Sequence, residues 1–257
     1  METFTFVHLL LLATGASAYA CKDPGLQCSV MDHPYHVRLV QQLLEDPDVL
    51  PLVGLIQPFL ICSGTLIHER WVLTAGDCYY EPSAAYIGQK VKPLKVRFSS
   101  RPGENQVIPH ENIRKFSSDS DADSVMLVKL PETVRNIVAA QLPTSCTHPK
   151  IGETLLGLSC YCTAYDSDTA KVTLYCVDRN VTTCGDPKKT SSQLSFCATP
   201  IMSISPFLAC PDESGGPLLR REGSADVVYG VKISDDNFMD VCADAVRQWI
   251  HETINEG

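Results

Sequence analysis

Beyond its first twenty residues the sequence has no long uninterrupted apolar run. The most apolar later stretch, Leu50 to Ile61, is broken by Pro51, Gly54, Gln57 and Pro58. A helix that crosses a bilayer needs about 20 consecutive apolar residues, so no membrane span is expected. A basic excess is lacking as well. The formal net charge is -9, which argues against nucleic acid or an anionic membrane surface as a partner. No concentrated acidic tail accompanies that charge, and its expected role is solubility. Metal-ligand spacing is also missing. Cys160-Tyr161-Cys162 is the one close cysteine pair, and no second Cys or His pair stands out to complete a site. No metal and no cofactor are therefore expected. Internal repeats and low-complexity linkers are absent too, which leaves one folded unit, large enough for one β domain or two small ones.

The N-terminus offers a short apolar stretch, Phe4 to Leu12, followed by the small residues Ala16-Ser17-Ala18 and Ala18-Tyr19-Ala20. It reads as a secretory signal peptide over 1–20, with cleavage after Ala18 or after Ala20. The mature chain, 21–257, is expected to be secreted and extracellular. All twelve cysteines lie beyond the signal, an even number, and in the secretory pathway such cysteines form disulfide bonds. Asn180-Val181-Thr182 is a glycosylation acceptor, expected in a surface loop of a glycoprotein.

Short β-rich runs recur between turn residues. They are His36 to Val40, Trp71 to Ala75, Lys95 to Phe98 and Ser124 to Val128, then Thr154 to Leu158, Lys171 to Tyr175 and Val227 to Val231. Many short strands separated by Pro, Gly, Asp and Ser indicate an all-β sandwich or barrel. Only the C-terminus reads as helix. Val246, Trp249, Ile250 and Ile254 fall on one stripe at helical spacing, which predicts a helix over 246–255. The segment from Asn136 to His148, with Pro143, is the expected boundary between two halves.

Three stretches, in order, carry a family resemblance. The first is Cys62-Ser-Gly-Thr-Leu-Ile67 with Trp71-Val-Leu-Thr-Ala-Gly-Asp-Cys78. The second is Asp123-Ser-Val-Met-Leu-Val-Lys-Leu130. The third is Cys210-Pro-Asp-Glu-Ser-Gly-Gly-Pro-Leu218. Together they resemble the trypsin/chymotrypsin-like serine proteases, peptidase S1. The resemblance implies two packed antiparallel β-barrels with the active site in the cleft and a C-terminal helix. On this sequence that places barrel 1 at about 29–140 and barrel 2 at about 141–245.

The same resemblance assigns positions in the catalytic machinery, and the residues found there depart from it. Acyl transfer needs a nucleophile, an imidazole base, a carboxylate that orients the imidazole, and donors for the oxyanion. Ser214 stands at the nucleophile position. Asp77 stands in place of the base histidine, and a carboxylate with an ordinary pKa near 4 is a poor base for a hydroxyl at neutral pH. Ser124 stands in place of the orienting aspartate. Its neighbour Asp123 would point to the opposite face of a strand. His68 and His110 are the histidines nearest cleft-forming segments, and both read as ordinary surface residues. Asp212 and Glu213 precede Ser214 where the family has glycine and aspartate. A charge at Asp212 would oppose stabilisation of a developing oxyanion. Leu208 takes the place of the aspartate that reads a basic side chain in the pocket. Around Lys22 no activation site is recognisable. Past Gly230-Val231, Lys232-Ile-Ser-Asp-Asp236 replaces the run that pairs with substrate backbone, and the stretch to Trp249 is shortened.

The resemblance further implies disulfides Cys62–Cys78, Cys184–Cys197, Cys28–Cys176 and Cys146–Cys242, the last slightly off register. Cys21, Cys160, Cys162 and Cys210 stay unassigned. Between Leu39 and Cys62 the family has a shorter loop. The extra apolar residues, centred on Leu50 to Leu60, read first as a strand extension or a filling of the vacated cleft. The sharper reading is an exposed surface for a protein partner. The function expected from all this is that of a pseudoprotease: a secreted serine protease homologue that is not an enzyme and acts by protein binding, a monomer unless a free cysteine cross-links it. The alternative is an atypical serine hydrolase or endopeptidase using Ser214 with a non-histidine base.

Overall fold

The structure is a computed structural model and describes residues 27–44, 59–81, 90–117, 124–162, 172–184, 194–201 and 214–256. The signal segment, most of the Leu50 to Leu60 insert, Asp123, Leu208, Asp212 and Glu213 lie outside these residues.

The described residues form two antiparallel sheets and one α-helix. A short strand, β1 (Gln27–Cys28), comes first. The sheet of the first half then contains β2 (His36–Leu44), β3 (Phe59–His68), β4 (Trp71–Ala75), β5 (Lys90–Val91), β6 (Leu94–Phe98), β7 (Asn105–Ile108), β8 (Ile113–Ser117) and β9 (Ser124–Lys129). Its order is β7-β6-β2-β3-β4-β9-β8, with β5 pairing β2. Sequence patterning explains the arrangement. In β6, Leu94, Val96 and Phe98 are buried and alternate with half-buried Lys95 and Arg97, the period-2 signature of a strand with one face in the core. By contrast all five residues of β4 are buried, because β4 is flanked by β3 and β9 and the second sheet packs against it.

The second sheet contains β10 (Thr154–Cys162), β11 (Val172–Thr182), β12 (Ser195–Pro200), β13 (Pro217–Glu222), β14 (Ala225–Ser234) and β15 (Asn237–Asp240), with β1 joined to β11. Its order is β1-β11-β10-β13-β14-β15-β12, and β12 pairs back with β11, closing the sheet on itself. The helix α1 (Asp244–Asn255) begins two residues before the expected start. Val246 and Ile250 are buried, and Trp249 packs on Phe116 of β8 with ring centroids 5.5 Å apart. The helix of the second half therefore clamps the first. One continuous apolar cluster runs from Val37, Leu39 and Val72 in the first sheet to Val228, Val231 and Met239 in the second. This is the trypsin-like architecture of two antiparallel barrel sheets with a C-terminal helix.

Two expectations change, and one part of the insert takes its first reading. Most strands are longer than their sequence signals; β2 runs on to Leu44 and β11 to Thr182. Leu60 and Phe59 extend β3, paired with Gln41 and Gln42, so the end of the insert is strand. Asn180 is not in a loop. It lies within β11, with Thr154 and Thr199 as register partners. Asn180 and Thr182 are half-buried and alternate with buried Arg179 and Val181, which puts the acceptor on the outer side of the barrel.

Disulfides join Cys28–Cys176, Cys62–Cys78 and Cys184–Cys197. The expected Cys146–Cys242 bridge is absent. Both are free thiols. Cys242 is buried in a small cluster with Val227 and Tyr229, and burial pushes its thiol well above the ordinary range.

Candidate active site

Ser214 opens the turn that leads into β13, where both sheets meet. From the first sheet, the Ser63 amide donates to the Ser214 carbonyl at 2.9 Å. From the second, the Gly215 amide donates to the Lys232 carbonyl at 2.8 Å, and the Lys232 amide to the Gly216 carbonyl at 2.9 Å. Gly215 has φ +83°. A Cβ there would lie 2.1 Å from Thr74 Oγ1 and 2.2 Å from the Ser63 carbonyl, so only glycine fits. Thr74 Oγ1 itself donates to that carbonyl at 2.7 Å. The Ser214 turn is thus fixed from β3, β4 and β14 together.

Asp77 is delivered by a single 3-10 turn, Gly76–Cys78, that directly follows β4. The Cys62–Cys78 disulfide ties this turn back to β3. The structure brings Asp77 and Ser214 together: Ser214 Oγ donates to Asp77 Oδ2 at 3.2 Å. Partial removal from water pushes the Asp77 carboxyl above its ordinary range, against the opposing effects of the Ser214 hydrogen bond and the Lys115 charge. Ser124, at the start of β9, lies against Gly76. A Cβ on residue 76 would stand 2.0 Å from Ser124 Oγ. Ser124 is therefore packed behind the turn that carries Asp77, in the place of an orienting group, but as a neutral hydroxyl.

Neither histidine singled out from sequence reaches the dyad. His110 Nδ1 is hydrogen-bonded to Tyr79 OH at 2.7 Å, and His68 is exposed at the turn between β3 and β4. Sequence reasoning missed Lys115, which donates to the Tyr79 carbonyl at 3.4 Å and faces the Tyr79 ring at 5.5 Å. Nothing local marks it, because β8 and the Asp77 turn are far apart in sequence. It missed Gly76 as well, although the glycine was visible inside Ala75-Gly-Asp-Cys78.

The wall beside Ser214 is short. β14 and β15 are joined by the two residues Asp235 and Asp236, with Ser234 and Asn237 already paired. Arg179 pins this hairpin: Nη1 donates to Asp236 Oδ1 and to the Ala198 carbonyl, each at 3.0 Å. Its guanidinium also lies over the Phe238 ring at 5.5 Å. Lys232 is buried. The cavity between Arg179, Gly216, Lys232 and Phe238 measures about 20 Å³, room for a single water. Among the described residues two groups of potential metal ligands lie close in space, Cys28 with His33 and Cys176, and Cys62 with Asp77 and Cys78. In each the two cysteines are bonded to one another, which leaves one donor and no metal set.

Chemically, the pair can do one thing well: a carboxylate accepts the serine proton's hydrogen bond and holds the hydroxyl in place. It supplies no imidazole to shuttle a proton to a leaving group.

The chain is similar to proteins of the trypsin family. A sequence model of the trypsin family, described as "Trypsin", matches residues 51–250. Trypsin of Xenopus laevis is 24% identical over 269 residues, covering 97% of this chain and 98% of that one. Human kallikrein-7 is 28% identical over 209 residues, covering 77% of this chain and 71% of that one. Among solved structures, the scabies mite inactivated protease paralogue S-I1 aligns with TM-score 0.62 at 18% identity, over 90% of this chain and 98% of that one. Mouse neuropsin, a serine protease expressed in the limbic system of the brain, aligns with TM-score 0.57 at 17% identity, over 89% and 98%.

Proposed function

Because the chain belongs to the trypsin family, we propose that it is a secreted, catalytically silent member that acts by binding another protein. One observation carries the proposal. Ser214 Oγ donates to a carboxylate, Asp77 Oδ2, at 3.2 Å, where the Ser-His-Asp mechanism uses an imidazole. Ser124 behind it brings no charge with which to orient a base. The two-residue hairpin at Asp235 argues in the same direction, since it stands where the resemblance expects the run that pairs with substrate backbone. The scabies mite protein of similar fold is described as an inactivated protease paralogue, so this architecture exists in that protein in an inactivated form.

Secretion rests on the signal segment over 1–20, and the disulfides suit an oxidising compartment. No helix among the described residues is long and apolar enough to cross a membrane. Asn180 on the outer side of barrel 2 is the proposed glycan site. The binding partner is a protein, and the insert from Leu50 to Leu60 is the first surface to test.

A second reading has its own support. Asp77's carboxyl is pushed above the ordinary carboxylate range and already contacts the Ser214 hydroxyl. A hydrolase with a carboxylate base would need both. Labelling of the secreted protein with a fluorophosphonate, beside Ser214→Ala, separates the two readings. Equal, background labelling of both proteins is the expected result. Labelling confined to the protein with Ser214 would overturn the proposal in favour of a reactive serine.

A further inference from the structure

His33 sits in the turn between β1 and β2 and is only 4% exposed. One of its ring nitrogens lies within 4.8 Å of both sulfurs of the Cys28–Cys176 disulfide. Nδ1 lies 2.8 Å from Tyr35 OH and 3.2 Å from Asp226 Oδ2. Tyr35 OH donates to Asp226 Oδ2 at 2.6 Å, and Arg221 Nε donates to Oδ1 at 3.1 Å. Burial raises the Asp226 carboxyl, but these two bonds outweigh it and keep the group ionised at neutral pH. An ionised carboxylate only accepts, and the tyrosine proton is already directed at it, so His33 Nδ1 carries a hydrogen. The neutral ring then has its lone pair on Nε2, the nitrogen free to take a proton.

The disulfide itself is within reach of solvent. Cys28 and Cys176 are both half-buried, whereas Cys62, Cys78 and Cys197 are buried. Among the described residues no other disulfide has an imidazole against both sulfurs. Cys62–Cys78 has the Asp77 carboxylate there instead, a charge that repels an incoming thiolate.

We propose that Cys28–Cys176 is an exchange site for small-molecule thiols, with His33 as the base and Asp226 as the group that positions it. Exchange requires a thiolate, and only a small fraction of an ordinary thiol is ionised at neutral pH. His33 Nε2 takes the proton from the incoming thiol, and Asp226 stabilises the imidazolium. The thiol sulfur bonds to one cystine sulfur. The Sγ–Sγ bond breaks, and its electron pair leaves on the other sulfur, which receives the proton from Nε2. The products are a mixed disulfide and one free cysteine. A second thiol displaces the first by the same step. Two thiols are thereby oxidised to one disulfide as the cystine is reduced to two cysteines. β1 then keeps its two register pairs with β11 and loses its covalent tie. No residue of the Ser214 site takes part, so the inference stands whichever reading of Ser214 holds.

The experiment exposes the mature protein to glutathione at pH 7, with samples alkylated at intervals and digested. Mass spectrometry reads the fraction of each disulfide that has opened. Cys28–Cys176 is expected to open before Cys62–Cys78. His33→Gln keeps an N–H for Tyr35 and Asp226 but has no basic nitrogen. It should slow opening of Cys28–Cys176 by about threefold or more and leave Cys62–Cys78 unchanged. The direction separates a base from a packing residue, because a substitution that merely loosened the cluster would expose the sulfurs and speed their opening. Should His33→Gln not fold, Asp226→Asn, which keeps the imidazole and removes the carboxylate, should give the same slowing. A smaller slowing or a faster opening in the variant that folds overturns the proposal. So does opening of Cys62–Cys78 before Cys28–Cys176 in the parent protein.

Discussion

At the scale of single residues, two positions make sharp predictions. Gly215 carries φ +83° with the Thr74 hydroxyl and Ser63 carbonyl pressed against it. Gly215→Ala combines backbone strain with a steric clash and is expected to cost about 3 kcal/mol or more. Thermal unfolding should register a drop of roughly 6 °C or more; an unchanged Tm would mean that the turn is not held as described. His36 makes the second. In the folded state it stays neutral down to about 3, whereas unfolded histidine takes up a proton near 6.5. Between these values the unfolded state binds the extra proton, so stability falls as pH falls, by at most about 1.4 kcal/mol per pH unit. His36→Gln should therefore lose less stability than the parent between pH 7 and pH 4. Urea midpoints at the two pH values measure this, and an equal loss in both proteins would contradict the buried neutral histidine.

At the scale of elements, the site is built by a turn after β4, the start of β9 and the hairpin of β14 and β15. Restoring residue types at the first two does not rebuild the third. The double variant Asp77→His/Ser124→Asp is expected to show no measurable cleavage of peptide substrates. The two-residue connection through Asp235 and Asp236, held by Arg179, stays short in that variant. Clear turnover of a chromogenic peptide would show that the missing side chains alone account for the proposed silence. Much of this was legible in the sequence. The Trp71 to Ala75 strand has the expected bounds, and the shortened stretch after Val231 is the tight hairpin. The pairing of Asp77 with Ser214 follows from motifs that occupy fixed places in a shared fold. What stayed illegible depends on contacts distant in sequence. Lys115 reaches the Asp77 turn from β8. Arg38 reads as an ordinary outward position in an alternating strand until the strand's other face is found buried as well. Asn180 looked like a loop residue because strand β11 continues past its apolar run, held by pairing on both sides.

At the scale of the whole molecule, the two sheets are joined by a polar cluster as well as by apolar packing. Tyr35 OH donates to Asp226 Oδ2 at 2.6 Å, and Arg221 Nε donates to Asp226 Oδ1 at 3.1 Å. His33 Nδ1 lies 2.8 Å from the same tyrosine oxygen. Burial pushes the Asp226 carboxyl up, but the bonds from Tyr35 and Arg221 bring it below the usual range. Tyr35→Phe removes a hydrogen bond to a charged group and should cost about 2 kcal/mol. A cycle with Asp226→Asn measures the coupling in denaturant unfolding, and strict additivity would show that the bond contributes nothing.

The disulfide between Cys28 and Cys176 spans 148 residues. It turns the whole first sheet, the connector, β10 and the first residues of β11 into one covalent ring. A protease that cuts that ring once, for instance within the insert before β3, opens it but frees no fragment. The nicked protein should migrate as a single full-mass band without reductant and separate into two pieces when thiol is added. Two pieces without reductant would mean that the ring is not closed in the secreted protein.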